Sequence, residues 1–395
     1  MKVRLLNVKY SPNVGDGLLV ECLEEHLRAM GSFHSVLSVD LAGRTDFGHR
    51  GAKREAMMWV LESLPRGLRP SFARLGLSAK LRLGLRAHYR RELSKADVVI
   101  IGGGNLLSDH DLNFPMKLAA AMNEAALQGA SLAIYGCGVS SCWSDAGLKI
   151  FCSALRINKP VYVALRDKAS KIAWDSMFSE AAGLEASVVN DPGVLASTVY
   201  RFDQTQKSRS QKTVAIGIMS TVAIRYHGFK SLLPNELIQW YLELINLLVD
   251  RDFDVRLFTN GSPEDKTFAV EVLNSLGSHS GGERITMANV STPSDLARVV
   301  NSADVVAAFR MHALIAAYSF GKPIVAMKWD PKVEAFLESV DIKDCVIDAN
   351  VSTAQDASDM IAEKCLVGVN QFAIKKKLGE TRQEVVALTT AISQV

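Results

Sequence analysis

Arg310 and His312 stand where an apolar run, VVAAF, gives way to an alanine-rich one, MHALIAAYSF. Burying a guanidinium or an imidazole without a partner is costly, so the pair asks for a purpose. Arginine is permanently charged and offers a planar fork that fits phosphate or carboxylate. Histidine gives or takes a proton near neutral pH. Met311 lies between them, and in an extended segment Arg310 and His312 would point to one side. A helix starting here would add the positive partial charge of its first N–H groups. The combination is an anion site with an acid–base group built in. A plainer reading stays open, in which Arg310 bridges to an acid and His312 caps the helix. Lys328 and Lys332, in KWDPK, would bring further positive charge close by.

Other candidates also fall where strands should end. NVGDG, residues 13–17, carries Asn13, Gly15 and Asp16 after the first apolar run. Glycine lets backbone approach a ligand, and Asp16 is suited to cap the following helix; the alternative is a plain turn and cap. GGGN, residues 102–105, places Gly103, Gly104 and Asn105 after DVVII, and YGCGV repeats the pattern after the next run. This is not the G-x-G-x-x-G spacing of a dinucleotide fold. Arg166 in LRD and Asp191 in NDPG close two more runs and could form a structural bridge with each other.

The elements that must position these residues read as alternating strands and helices. VRLLNV, SVLSV, DVVII, SLAIYGCG, VYVALRD and ASVVNDP are separated by amphipathic segments, including one from about Gly15 to Met30. After the polar stretch 203–212 the pattern restarts with TVAIGIM, DVRLFTNG, RITMANV, DVVAAF, PIVAMKW and CVID. Near-continuous apolar strands between helices predict parallel sheets buried on both faces. The expectation is an α/β protein with two Rossmann-like domains, 1–203 and 212–365, facing a central cleft. A last helix in 366–395 would pack back on the first domain. Ligands of such sheets bind beyond the carboxyl ends of the strands.

Bulk properties exclude several classes. The chain has 395 residues, of which 48% are hydrophobic and 22% charged, enough for two cored domains and too apolar for general disorder. A net charge of +3 gives no reason to expect nucleic acid as a partner. Six scattered cysteines without a Cys-x-x-Cys pair argue against a zinc site or a disulfide framework, and no metal cluster is visible. With no apolar signal core at the start and no run of about 18 apolar residues, the expected location is cytoplasmic. One insertion, residues 50–95, lacks a strand, and from Arg66 to Arg91 it contains eight Lys/Arg and no Asp/Glu. It reads either as a solvated helix face or as a surface for a pyrophosphate or an anionic membrane, which would make the protein peripheral at the inner membrane face.

NVGDG, ADVVIIGGGNLL, VALRDKAS, NDPGV, LFTNG and RMHALIAAYSFGKPIVAMKWDPKVEAF occur in the order found in polysaccharide pyruvyl transferases, and the chain resembles that family from about residue 3 to 340. The resemblance implies a GT-B-like fold. It implies that phosphoenolpyruvate donates its carboxyvinyl unit to two hydroxyls of one sugar, giving a cyclic pyruvate ketal and phosphate, with no further cofactor. The saccharide acceptor in the family is often lipid-linked or a cell-surface glycan precursor. Carried over by motif, Arg310 and His312 would bind the donor's anionic groups, with His312 as general acid. Asp16, ranked before Asp191, would be the acceptor's base from the other domain. Asn13, Gly15, Gly103, Gly104, Asn105, Arg166, Met311, Lys328 and Lys332 would line the substrates. Met311 replaces the family's usual leucine, and Trp329 and Pro331 depart from its usual tyrosine and non-proline. A GT-B glycosyltransferase with a nucleotide-sugar donor is the competing reading; Glu264 and Asp265, on a loop before a helix, would be its ribose-binding acids. A non-catalytic sugar-binding protein is a third.

Overall fold

The computed structural model describes residues 1–47, 69–109, 111–202, 211–226, 232–276 and 284–394. It divides into two compact units. One comprises Met1–Tyr10, Val20–Pro192 and Thr381–Val395; the other comprises Ser11–Leu19 and Gly193–Glu380. The chain changes unit between Pro192 and Gly193, upstream of the polar stretch 203–212, of which 203–210 lie outside the described residues. The final helix, Gln371–Ser393, starts in the second unit and ends in the first.

The first unit holds a six-stranded parallel sheet. Its strands are β1 (Lys2–Asn7), β2 (Ser35–Asp40), β3 (Val98–Gly102), β4 (Ser131–Cys137), β5 (Pro160–Leu165) and β6 (Ser187–Val188), in the order β2-β1-β3-β4-β5-β6. Every residue of β3 is buried, as the run VVII requires of a strand covered on both faces. The chain order reverses between β1 and β3, where Val3 pairs with Val98. Residues 50–68 of the basic insertion lie outside the described residues. Beyond them, Arg69–Lys80, a π-helical turn Leu81–Leu85 and Arg86–Glu92 run on as one helical rod, Lys80 and Arg86 both keeping right-handed helical angles. Leu77, Leu81, Leu85, Tyr89 and Leu93 recur at every fourth residue and pack on the unit's core. An ideal helix would rotate such a stripe by roughly 40° per step. The wider π turn counteracts that drift and keeps the stripe inward. Tyr89 Oη also donates to Leu41 O at 2.7 Å.

The second unit repeats the plan with β7 (Thr213–Gly217), β8 (Asp254–Phe258), β9 (Ile285–Met287), β10 (Val305–Ala308), β11 (Ile324–Met327) and β12 (Val346–Ile347), ordered β12-β11-β10-β7-β8-β9. All pairings are parallel. The order reverses between β7 and β10, the place where a doubly wound sheet opens a crevice for ligands. Sequence-coded caps start the helices that follow. Thr292 and Asp295 form a reciprocal capping box ahead of Pro293–Asn301, and Asp330 caps Pro331–Ser339. Both sheets are therefore the α/β, Rossmann-like layers expected from the apolar runs.

Candidate functional site

The second unit gathers one group of polar residues at the carboxyl ends of β8 and β10. Arg310 is the N-cap of the helix Met311–Ser319, and Met311 and His312 lie in its first turn. Arg310 and His312 therefore do not alternate along an extended segment, because helical geometry begins at Met311. Arg310 Nε and Nη2 donate to Asp265 Oδ2 at 3.0 and 2.7 Å, and Nη2 also reaches Ser262 Oγ at 3.4 Å. Asp265 is 0% exposed, and its Oδ1 accepts from Ser220 N at 2.9 Å. The Arg310 guanidinium lies 5.9 Å from the centre of the Trp329 ring, whose Nε1 donates to Phe309 O at 2.7 Å. Among the described residues Nη1 takes no part in these bonds, so Asp265 fixes one edge of the fork.

His312 is 8% exposed, and its Nδ1 lies 3.6 Å from Asp16 Oδ1. The segment carrying Asp16 belongs by its contacts to this same unit, not to the other domain as the sequence suggested. Nor does Asp16 cap the helix Val14–Ala29: Asn13 does, its Oδ1 accepting from Gly15 N at 3.2 Å, while Asp16 sits in the first turn. Val14 N donates to Asn260 O at 2.8 Å and draws the segment against β8. A Cβ on Gly15 would stand 2.7 Å from His312 Cβ and 3.0 Å from Asn260 Nδ2, so glycine is what permits this approach. Asn260 is 1% exposed, and its side-chain amide makes no hydrogen bond among the described residues.

A second group lies within the first unit, at the carboxyl ends of β3, β4 and β5. Gly103 and Gly104 adopt φ of 80° and 70°. A Cβ on Gly138 would meet Arg166 Nη2 at 2.6 Å and Asn105 Oδ1 at 2.8 Å, so bare backbone separates these two side chains. Arg166 is 7% exposed, with Nε 3.5 Å from Asp167 Oδ2 and Nη1 3.8 Å from Asp191 Oδ2. The structure thus brings Gly103, Gly104, Asn105, Arg166 and Asp191 together, and the Arg166–Asp191 bridge exists as a loose pair. Burial raises the Cys137 thiol to about 12 despite Arg166 nearby, which removes it as a thiolate nucleophile.

Lys328 Nζ pairs with Glu334 Oε1 at 3.0 Å, and Lys332 Nζ, in the first turn of the helix Pro331–Ser339, pairs with Asp330 Oδ2 at 3.3 Å. Glu264 and Asp265 lie in the first turn of the helix Pro263–Leu276 rather than on a loop, and Asp265 is engaged by Arg310. Asn260 lies in the LFTNG motif and Asp265 was a candidate ribose acid, but the places the structure gives them, Asn260 beside His312 and Asp265 holding Arg310, were not read from the sequence. Among the described residues no group of three or more His, Cys, Asp or Glu is placed to hold a metal. Chemically, the second unit's group can bind an anion through Arg310 and move a proton through His312, with the Asp16 carboxylate beside the imidazole to stabilise its charged form.

Known structures share this architecture at low identity. A Staphylococcus aureus MnaA–UDP co-structure aligns with 97% of this chain and 92% of its own at 14% identity and a TM-score of 0.53. The UDP-GlcNAc 2-epimerase of Methanocaldococcus jannaschii aligns over 99% of both chains at 10% identity and 0.56. The spinosyn rhamnosyltransferase SpnG with thymidine diphosphate aligns over 98% and 96% at 14% and 0.50. These likenesses establish the GT-B-like, α/β fold. Comparison with curated protein sequences gives no match. The family pattern does: it runs from residue 13 to 331, from the Asn13 cap through the Arg310 and His312 helix to Pro331, and by that match the chain belongs to the polysaccharide pyruvyl transferase family.

Proposed function

We propose that the protein transfers pyruvate from phosphoenolpyruvate to two hydroxyls of one sugar in a polysaccharide or glycan precursor, forming a cyclic ketal and releasing phosphate. The observation that carries this reading is the pairing, in one unit, of a pre-set arginine fork with a carboxylate-backed histidine. Arg310, held by Asp265, binds the donor's carboxylate or phosphate through its other edge. His312, beside Asp16, delivers a proton to C3 of the donor. The C2–C3 π electrons form the new C3–H bond, and C2 becomes electrophilic. A sugar hydroxyl adds to C2 and gives up its proton. The C2–O bond to phosphorus's oxygen then breaks, phosphate leaves with the electron pair, and the second hydroxyl closes the ketal, losing its proton in turn. Positive groups fixed before the reaction stabilise the charge that develops on the departing phosphate.

Asp16 serves His312 in this scheme rather than the acceptor, because its carboxylate faces the imidazole. Of the two acids the nucleotide-sugar reading offers for a ribose, Asp265 is fully buried against Arg310, which leaves Glu264 alone for that role. The test is calorimetric titration with phosphoenolpyruvate and, separately, with UDP- and GDP-sugars, followed by mass spectrometry of candidate glycans incubated with donor. Phosphoenolpyruvate should bind alone, and a glycan should gain a pyruvate ketal as phosphate appears. Tight binding of a nucleotide sugar with none of phosphoenolpyruvate would overturn the reading.

A further inference from the structure

From Arg74 to Glu92 the helical rod presents its outer face to solvent in an unusual composition. Its inner stripe, Leu77 to Leu93, is taken up by the core. On the outside, Leu75 is 67% and Leu83 87% exposed. Around them Arg74, Lys80, Arg82 and Arg86 are exposed, and among the described residues none of the four makes an ion pair. No acid occurs between Arg74 and Arg91.

A helix face meant only for water intersperses both signs, as Gln371–Ser393 does where Glu380 pairs with Lys376 and Lys377. Here the charges have one sign, Arg74, Lys80, Arg82 and Arg86 are left unneutralised while Arg90 and Arg91 pair with Glu124 and Glu92, and large aliphatic side chains stand among them. That is the composition of a helix lying flat on an anionic bilayer, with basic groups at the headgroups and leucines dipping into the acyl boundary. Nucleic acid would use the arginines but give the two leucines nothing to bury against. We infer that the outer face of residues 74–86 docks the protein on membranes rich in anionic lipid. Among the described residues no helix is long and apolar enough to cross a membrane, so the contact is peripheral. It stands independently of the pyruvyl-transfer reading.

Flotation of the full chain with vesicles tests it. One set is phosphatidylcholine alone; the other contains phosphatidylcholine and phosphatidylglycerol in about equal parts. At low salt the protein should float with the mixed vesicles and not with the neutral ones, and high salt should release it. The double variant R82Q/R86Q should bind roughly thirtyfold more weakly, from about one headgroup interaction lost per arginine. L83S should also weaken binding, and since all three residues are exposed, far-UV circular dichroism and melting should not change. Equal binding to both vesicle types, no binding to either, or an unaltered R82Q/R86Q would overturn the inference. So would binding to duplex DNA that exceeds vesicle binding and is indifferent to L83S.

Discussion

Replacing Gly15 by alanine adds one methyl group at the most crowded point of the site. That carbon would lie 2.7 Å from His312 Cβ, 3.0 Å from His312 Nδ1 and 3.0 Å from Asn260 Nδ2. Comfortable carbon contacts lie at about 3.5–4.0 Å, so the segment must retreat by about 1 Å. A Cβ has no rotamer to relieve the clash, so the backbone itself has to move. Two terms oppose each other in stability. Alanine gains about 1 kcal/mol over glycine in a helix, and overpacking costs about 1–3 kcal/mol, leaving a net loss of about 0–2 kcal/mol. Function should suffer far more. Asp16 and His312, now 3.6 Å apart, would be separated, and a misplacement of about 1 Å at reacting groups can lower rate about 100-fold. The assay is phosphate release from phosphoenolpyruvate with an acceptor glycan, alongside a thermal melt. Gly379→Ala is the control: nothing lies within 4 Å of its added carbon, so it should gain helix stability and leave turnover alone. A Gly15→Ala protein with normal turnover and a raised melting temperature would refute the claim that this segment is pressed against His312.

Asp265→Asn should destabilise the fold by about 3 kcal/mol, since it strips the charge partner from a mostly buried arginine, and should weaken phosphoenolpyruvate binding in a calorimetric titration. An unchanged melt and affinity would show that Arg310 is held by something else. Arg310→Lys keeps the charge but loses the fork, so donor affinity should fall by about 1.5–3 kcal/mol. His312→Ala should lower turnover by roughly 10²–10⁴-fold with a smaller change in donor affinity; a melt that collapses while the surviving protein turns over normally would make His312 structural. Lys117 is 8% exposed, and burial, helped by Lys80 and Arg44, lowers its pKa from 10.5 to about 8. The unfolded chain therefore holds a proton that the folded chain resists, so the penalty is full below about pH 8 and is relieved as pH rises toward 10.5. Lys117→Met should raise stability by about 1–3 kcal/mol at neutral pH, and the gain should shrink in melts at pH 10; a gain that does not vary with pH would rule out titration as its source.

The strands were legible because parallel strands buried on both faces must be apolar without interruption: DVVII and VVAAF could be little else. Arg310 and His312 were legible as types too costly to place idly after such a run. What encloses them was not. Asp265 lies 45 residues from Arg310, and no local period reveals such a pairing. The helix start at Met311 was blurred because neither Arg310 nor its neighbours is a usual capping residue. Asn13 and Asp16 are both good caps in sequence, and only the hydrogen bond to Gly15 N decides between them. The membership of Ser11–Leu19 in the second unit was hidden for a different reason: amphipathicity predicts the helix but not which core its first turn serves.

The chain passes from one compact unit to the other four times, after Tyr10, Leu19, Pro192 and Glu380. Such interlacing restricts how the protein can be recombined. A C-terminal half expressed from Gly193 onward would lack Asp16 and the glycine that seats it, although it would contain Arg310 and His312. A chimera joined at residue 192 would import a foreign Asp16 segment along with the foreign N-terminal half, so any change of specificity it showed would confound two contributions. A clean exchange must carry residues 11–19 with the second unit and residues 381–395 with the first. The same constraint applies to natural descent: an exchange of halves at residue 192 would part residues 11–19 from the unit their contacts serve.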